Sequence, residues 1–267
     1  MPRPLEKREI ADRLHAFPRD IYTFIGGINK GIALALATVA FLPLISDLLG
    51  AVDEPAGTQS HYRLGPWFAS MSALIVAQVT WNRGVIFTNA RASLLDTVLP
   101  LVMGLFEVAL FAVLIDGPSR IVPPDFWHNW FYVMAGHSLT ACALVLNRIR
   151  NTDLEHDFDR SLRGLAREYC NWTRQDAIGS GVSGGIALAV GLTFSRLVWQ
   201  APMSERPWAE PIFCGLAVLI ALALWVKPIR DADRQRRYAE YFVSSTDAPP
   251  LSFAEWCRPR RPRAPLA

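Results

Sequence analysis

Six apolar stretches, each long enough or nearly long enough to cross a lipid bilayer, dominate this 267-residue sequence. A helix needs about 20 mostly apolar residues to span the hydrocarbon core, with about 17 as the lower limit. Charged residues make up only 19% of the chain, whereas a soluble domain usually carries about 25%. The sequence therefore predicts an all-α, polytopic membrane protein. The six predicted transmembrane helices cover residues 31–49, 65–81, 93–115, 127–147, 181–198 and 211–227.

The basic residues predict how these helices are oriented. Lys and Arg are frequent in the N-terminal leader, after the second and fourth stretches and in the C-terminal tail, whereas the other three loops hold one Arg each (Arg63, Arg120 and Arg206). Short loops that are rich in Lys and Arg stay on the cytoplasmic side of a membrane. We therefore expect a multi-pass protein of a bacterial-type inner (plasma) membrane, with both the N- and the C-terminus in the cytoplasm.

The predicted helices group into three hairpins with short outer connections. A cytoplasmic amphipathic leader (1–30) precedes the first two hairpins (31–147). A cytoplasmic amphipathic helix (148–180) follows, and a glycine-containing turn separates it from the third hairpin (181–227). The last segment (228–267) is expected to form a basic helix and a disordered tail, because its end combines many Arg and Pro residues.

Polar residues within the predicted helices are candidates for function. A rise of 1.5 Å per residue places Glu107 about 5 Å from the centre of the third helix and His137 at the centre of the fourth. Ionisable groups at this depth are costly and face the bundle interior. We expect Glu107 and His137 to form a hydrogen-bonded pair that lines a polar pathway, or else a tie between helices. Asp96 and Gln78 are further pathway candidates, and Lys30 is expected to reach the membrane interface.

Small residues open the fifth predicted helix. The string from Gly181 to Gly184, with Ser183 between them, matches the GxSG string of rhomboid intramembrane proteases. Those enzymes need a histidine on a later helix, but all five histidines of this chain precede Ser183. We therefore interpret Gly181, Ser183, Gly184 and Gly185 as a helix-packing or hinge surface.

An apolar stripe with helical spacing runs through residues 153–174. Its opposite face is charged, so the stripe must be buried against something. The candidates are the leader, the segment 229–243, a second subunit or lipid, and we name the stripe a cytoplasmic assembly stripe. Its members are Leu154, Phe158, Leu162, Leu165, Tyr169 and Trp172.

No sequence motif identifies a reaction. The four cysteines form no CxxC pair, so we expect no metal site, and we expect no cofactor, no nucleic-acid partner and no enzymatic activity. The first hypothesis is a homo-oligomeric channel-like or membrane-permeabilising protein that is gated from the cytoplasmic side, as a defence effector would be. The alternative is an anchoring or sensing subunit that docks a cytoplasmic protein and transports nothing. An intramembrane enzyme that acts on lipid-like substrates is a third, weaker reading.

Overall fold

A computed structural model of the chain describes residues 6, 7, 9, 10, 21–48, 63–87, 94–115, 126–155, 157–198, 209–245 and 251–257. Within these ranges the chain contains no β-strand, and seven helices have defined bounds, which confirms the all-α prediction. They are α1 (Ile21–Leu48), α2 (Leu64–Phe87), α3 (Leu94–Ala112), α4 (Phe126–Asn151), α5 (Arg163–Val198), α6 (Ala209–Ser244) and α7 (Phe253–Trp256).

Three helices contain segments that are long and apolar enough to cross a membrane. These segments are Gly27–Ile45 in α1, Trp127–Asn151 in α4 and Arg163–Thr193 in α5. Helices α2, α3 and α6 contain shorter apolar segments, which are Leu64–Thr80, Val98–Ala112 and Pro211–Leu222. The chain is therefore a helical bundle with at least three candidate membrane spans in its described part.

The outer surface of the bundle is apolar. Leu42, Leu105 and Leu219 are 63%, 68% and 62% exposed. Exposed apolar surface over several helices is typical of proteins that contact lipid. The interior is instead built from small residues and a few large aromatic ones, as expected where helices pack by close approach of their backbones. Its small members include Ala33, Ala37, Ala40, Ala69, Ala73, Ala187 and Ala217.

The helices do not pack as three separate hairpins. The most extensive interfaces join α4 with α5 and α2 with α6, followed by α3 with α4 and α1 with α3. Helix α6 approaches α2 closely because Gly65 has no side chain, and a Cβ there would lie 2.8 Å from the carbonyl oxygen and Sγ of Cys214. Within the described residues, α5 and α6 meet over a much smaller interface. The predicted hairpins are therefore interleaved.

The chain between α4 and α5 forms a turn, so the helix predicted for residues 153–162 is wrong. Aspartate side chains bond the backbone here. The amide of Glu155 donates to Asp153 Oδ1 (3.0 Å), and the amide of Asp153 donates to Asp157 Oδ2 (2.8 Å). The amide of Arg160 donates to Asp159 Oδ1 (2.8 Å). Such local bonds compete with helical backbone bonds and favour turns.

At this end of the molecule the described residues 152–155, 157–175, 231–245 and 251–257 form a unit that we call the extension. The predicted assembly stripe is buried there by the chain itself: Phe158, Leu162 and Leu165 are each 1% exposed. The stripe packs with the C-terminal part of α6, with α7 and with Ile10 of the leader. Of the partners that the sequence left open, Ile10 of the leader and the segment 229–243 contact the stripe.

The core of the extension is an aromatic cluster. Trp172, Tyr238 and Phe253 lie with ring centroids 5.0–6.1 Å apart in edge-on pairs. The Tyr238 hydroxyl donates to the carbonyl oxygen of Leu251 (2.9 Å), which holds the chain that leads into α7. Ser252 caps α7 through a reciprocal capping box. The C-terminal segment 251–257 is therefore packed back onto α5 and α6.

Candidate functional site

Glu107 and His137 lie at the same depth on neighbouring helices. The ring of Phe106 on α3 lies directly against Gly136 on α4, where a larger residue would collide with it. Glu107 and His137 are the next residues on these two helices, and both are buried, with 2% and 4% of their surface exposed. Counting residues along the two predicted helices gives the same common depth.

The sequence predicts a hydrogen bond between these two side chains, but their buried atoms Glu107 Oε1 and His137 Nε2 do not form it. Among the described residues, neither Oε1 of Glu107 nor Nε2 of His137 has a hydrogen-bond partner. A buried polar atom without a partner loses its interaction with water and gains nothing in return, at a cost of about 1–3 kcal/mol. Two such atoms at one depth leave room for a hydrogen-bonding ligand such as water.

Lys30 is the basic neighbour of this pair, and it lies inside α1, which begins at Ile21, rather than at the start of the first helix, where the sequence had placed it. The side-chain amide of Asn29 lies against Gly104 of α3, so α1 at Asn29 is level with the middle of α3. Glu107 comes three residues, or nearly one turn, after Gly104. The half-buried Lys30 ammonium is close enough to act electrostatically on both Glu107 and His137. It attracts a carboxylate at Glu107 and repels an imidazolium at His137.

Lys30 is not among the pathway candidates predicted from sequence, because the first predicted helix begins at the next residue, 31. Helix α1 begins ten residues earlier, at Ile21, so Lys30 lies well inside the helix. The signal was present in the apolar residues Ile21, Phe24 and Ile25, which precede the charge. Three ionisable side chains from α1, α3 and α4 are thus brought together inside the bundle, and we call Lys30, Glu107 and His137 the charged triad.

The other two predicted pathway residues take no demonstrated part in the triad. Gln78 lies on α2, is half-buried and interacts with neighbouring residues. Asp96 is on the first turn of α3, and its side chain lies outside the described residues. The described residues contain no group of three His, Cys, Asp or Glu side chains that could hold a metal ion.

A cavity of about 40 Å³ adjoins His137. Its polar lining comes from Thr80 on α2, His137, Ser138 and Arg148 on α4, and Ser180 on α5. Apolar side chains complete the wall, including Met103 on α3. His137 and Arg148 are eleven residues apart on α4, so the cavity follows this helix for about 16 Å, from the triad towards the extension.

The glycine-rich surface predicted on α5 meets α4. A Cβ at Gly184 would lie 2.9 Å from Leu139 Cγ, and a Cβ at Gly181 would lie 3.4 Å from Cys142 Sγ. Gly185 faces the other way and has nothing within 4 Å, and Ser183 is half-buried. The helix is unbroken from Arg163 to Val198, so the turn expected before residue 181 is helical instead. We call this close α4–α5 contact the glycine seam.

Comparison with known proteins gives no match: no family model, no curated protein and no solved structure is significantly similar to this chain. The functional conclusion therefore depends on the geometry described above.

Proposed function

We propose that this protein is a channel-like integral membrane protein that passes protons or small ions through the interior of its helical bundle. One observation carries the proposal: Glu107 and His137 are buried on neighbouring helices beside the half-buried Lys30 of a third helix, and Glu107 Oε1 and His137 Nε2 have no partner among the described residues. Ionisable residues inside a membrane bundle are expensive and usually mark a pathway for ions or protons. Carboxyl, amine and imidazole groups all exchange protons, so the triad suits such a pathway chemically.

The proposal includes six membrane spans with both termini in the cytoplasm of a cell with a bacterial-type inner membrane. The positive-inside distribution of Lys and Arg supports this topology. In this arrangement the extension lies in the cytoplasm, on the side from which gating is proposed. Cys257 is exposed on the extension, so a membrane-impermeant thiol reagent that reached it from outside an intact cell would refute the topology.

The described structure weakens the alternative of an anchoring subunit, because the stripe expected to dock a partner is already covered. It also bears on how the pathway is built. Glu107 and His137 are buried within a single chain, so the proposed pathway runs through each protomer and needs no subunit-lined pore. The homo-oligomer expected from the sequence stays a separate prediction, which the particle mass in detergent or nanodiscs would measure.

The test is ion flux in liposomes that contain the purified protein. Replacing Glu107 by Gln keeps the side-chain shape and removes its negative charge. We expect proton or potassium flux to fall by roughly tenfold or more, which corresponds to a barrier change of ~1.4 kcal/mol.

The matched control is Glu240→Gln, which makes the same chemical change at an exposed position on the extension. Glu240 pairs with Arg236 on the surface, and such pairs contribute ~0–1 kcal/mol to stability. The control should conduct like the unmodified protein. If Glu107→Gln assembles normally and its flux equals that of the control, the pathway role of the triad is wrong.

A further inference from the structure

We propose that the cavity beside His137 is a water-filled vestibule that opens towards the extension and closes at the charged triad. This inference rests on the proposed function and deepens it, because it assigns water as the ligand and one end of the bundle as the point of entry. A cavity of about 40 Å³ is large enough, since one water needs roughly 10–15 Å³ when space is measured for probe centres.

The polar groups in the wall match what buried water requires. A buried water usually makes about three hydrogen bonds to groups that are otherwise unsatisfied. His137 lines the cavity and is 96% buried, and its Nε2 has no partner among the described residues, so it can bond to a water. The Ser138 hydroxyl reaches only Met134 Sδ, at 4.0 Å, and a thioether is a weak acceptor. Thr80 and Ser180 bring two further hydroxyls from the facing helices.

The lining residues indicate towards which end of the bundle the cavity opens. Beyond His137, the lining residues Leu144, Val145 and Arg148 continue along α4 towards the extension. At the opposite end, Trp130, Phe131 and Phe111 are fully buried in the main core, and they leave little room for water. Trp130 is fixed there by a hydrogen bond from its Nε1 to Ser70 Oγ (3.0 Å).

The triad forms the inner limit of the vestibule. His137 belongs to the cavity wall, whereas Lys30 and Glu107 are not among its lining residues. An ion or proton that entered from the extension would therefore meet His137 first and the Lys30–Glu107 pair second. Water at His137 supplies the link between an aqueous compartment and the triad that the proposed function requires.

Silver ion is the probe that tests this vestibule, because it is small, enters only aqueous spaces and blocks thiols. In a chain whose Cys142, Cys170 and Cys214 are replaced by Ala, Ser138→Cys changes one oxygen of the cavity wall to sulfur. The retained Cys257, exposed on the extension, reports which face of a sealed vesicle the silver has reached. The free thiols that remain are counted after denaturation by peptide mass spectrometry.

The control is Leu105→Cys, at nearly the same depth as Ser138. Leu105 precedes Phe106, which contacts Gly136, but its side chain is 68% exposed on the outside of the bundle. In a lipid bilayer this position faces hydrocarbon, so silver ion should not react there. Ser180→Cys, nearer the Arg148 end of the cavity, should react at least as fast as Ser138→Cys.

We expect Ser138→Cys to be blocked whenever Cys257 is blocked, and to stay free when silver is added only to the opposite face. Failure of Ser138→Cys to react in folded protein, reaction from the opposite face, or equal reaction of Leu105→Cys would each overturn the vestibule. This experiment needs no conductance. If silver blocks Ser138→Cys but the protein shows no ion flux, the vestibule is supported and the channel is rejected. If the protein conducts ions but silver does not block Ser138→Cys, the channel is supported and the vestibule is rejected.

Discussion

A single methyl group at the glycine seam should destabilise the bundle, while the same group one residue later should not. Gly184→Ala places its Cβ 2.9 Å from Leu139 Cγ and 3.2 Å from the Leu139 backbone nitrogen, which cannot rotate away. Gly185→Ala points into open space, with nothing within 4 Å. Both positions lie inside α5, so both gain the same ~1 kcal/mol of helix propensity when Gly becomes Ala.

The difference between the two variants therefore isolates the packing clash. Overfilling a packed interface costs about 1–3 kcal/mol, so Gly184→Ala should be less stable than Gly185→Ala by that amount. With ~2–4 °C per kcal/mol for a chain of this size, the two melting temperatures should differ by roughly 2–12 °C. Helical circular dichroism during heating in detergent measures this difference.

A second substitution tests the assigned contact. Leu139→Ala removes the two side-chain carbons, Cγ and Cδ2, that crowd a Cβ at position 184. Leu139 is 42% exposed, so its truncation alone should cost little. In the double variant, part of the loss caused by Gly184→Ala should return, as a coupling between touching residues. Equal stability of Gly184→Ala and Gly185→Ala, or strictly additive effects with Leu139→Ala, would refute the seam as described.

The remaining two predictions concern the extension. Ser252→Ala removes the capping box that Ser252 forms with Glu255, in which Ser252 N donates to Glu255 Oε2 (2.9 Å). Loss of an N-cap costs ~1 kcal/mol, so amide hydrogen exchange over residues 251–257 should become roughly fivefold faster. The control Ser244→Ala, at an exposed position, should leave this exchange rate unchanged. Burial, reinforced by nearby acidic groups such as Glu168, raises the pKa of Tyr238 to about 12. The folded state therefore holds this proton more tightly than the unfolded chain, so the stabilisation is complete below pH ~10 and is lost as the pH rises through about 12. Tyrosinate absorbance should show one late-titrating tyrosine that Tyr238→Phe removes, and a titration without such a tyrosine would contradict the burial of this side chain.

The helices were predictable from sequence because apolar runs must satisfy their backbone hydrogen bonds internally when they lie in lipid. The stretch 127–147 corresponds to α4 (Phe126–Asn151) and the stretch 65–81 to α2 (Leu64–Phe87). These two helices extend further at both ends than the predicted stretches, since a helix does not stop where its composition becomes polar. Arg148 and Arg150, for example, lie in the last turn of α4.

The same limitation hid Lys30. A charged residue was taken as the boundary of an apolar run, although α1 continues through it in both directions. A lysine within a helix depends on the acidic groups near it, here Glu107 on α3, and which group lies near depends on the relative shift of two helices. The contact of Asn29 with Gly104 determines that shift, and no local pattern in either segment reveals it.

Depth was predictable for Glu107 and His137, but their bonding was not. Residue counting gives the position of a side chain along its helix. The direction in which the side chain points depends on how the helices are rotated against each other. Here the Phe106 ring and Gly136 determine that rotation, and they leave Glu107 Oε1 and His137 Nε2 without partners. A cavity lined by four helices is likewise a collective property that no single segment encodes.

Helix α5 gives the molecule a mechanical connection. Its 36 residues extend for about 54 Å, well beyond the ~30 Å of a hydrocarbon core. The N-terminal part of α5 carries Leu165 and Trp172, which pack in the core of the extension. The part that follows carries Ser180 at the cavity wall and Gly184 in the glycine seam. An unbroken helix that is packed at both ends couples those two ends. A tilt of α5 at the extension would therefore also displace Ser180 at the cavity wall, with the close contact at Gly184 as the pivot.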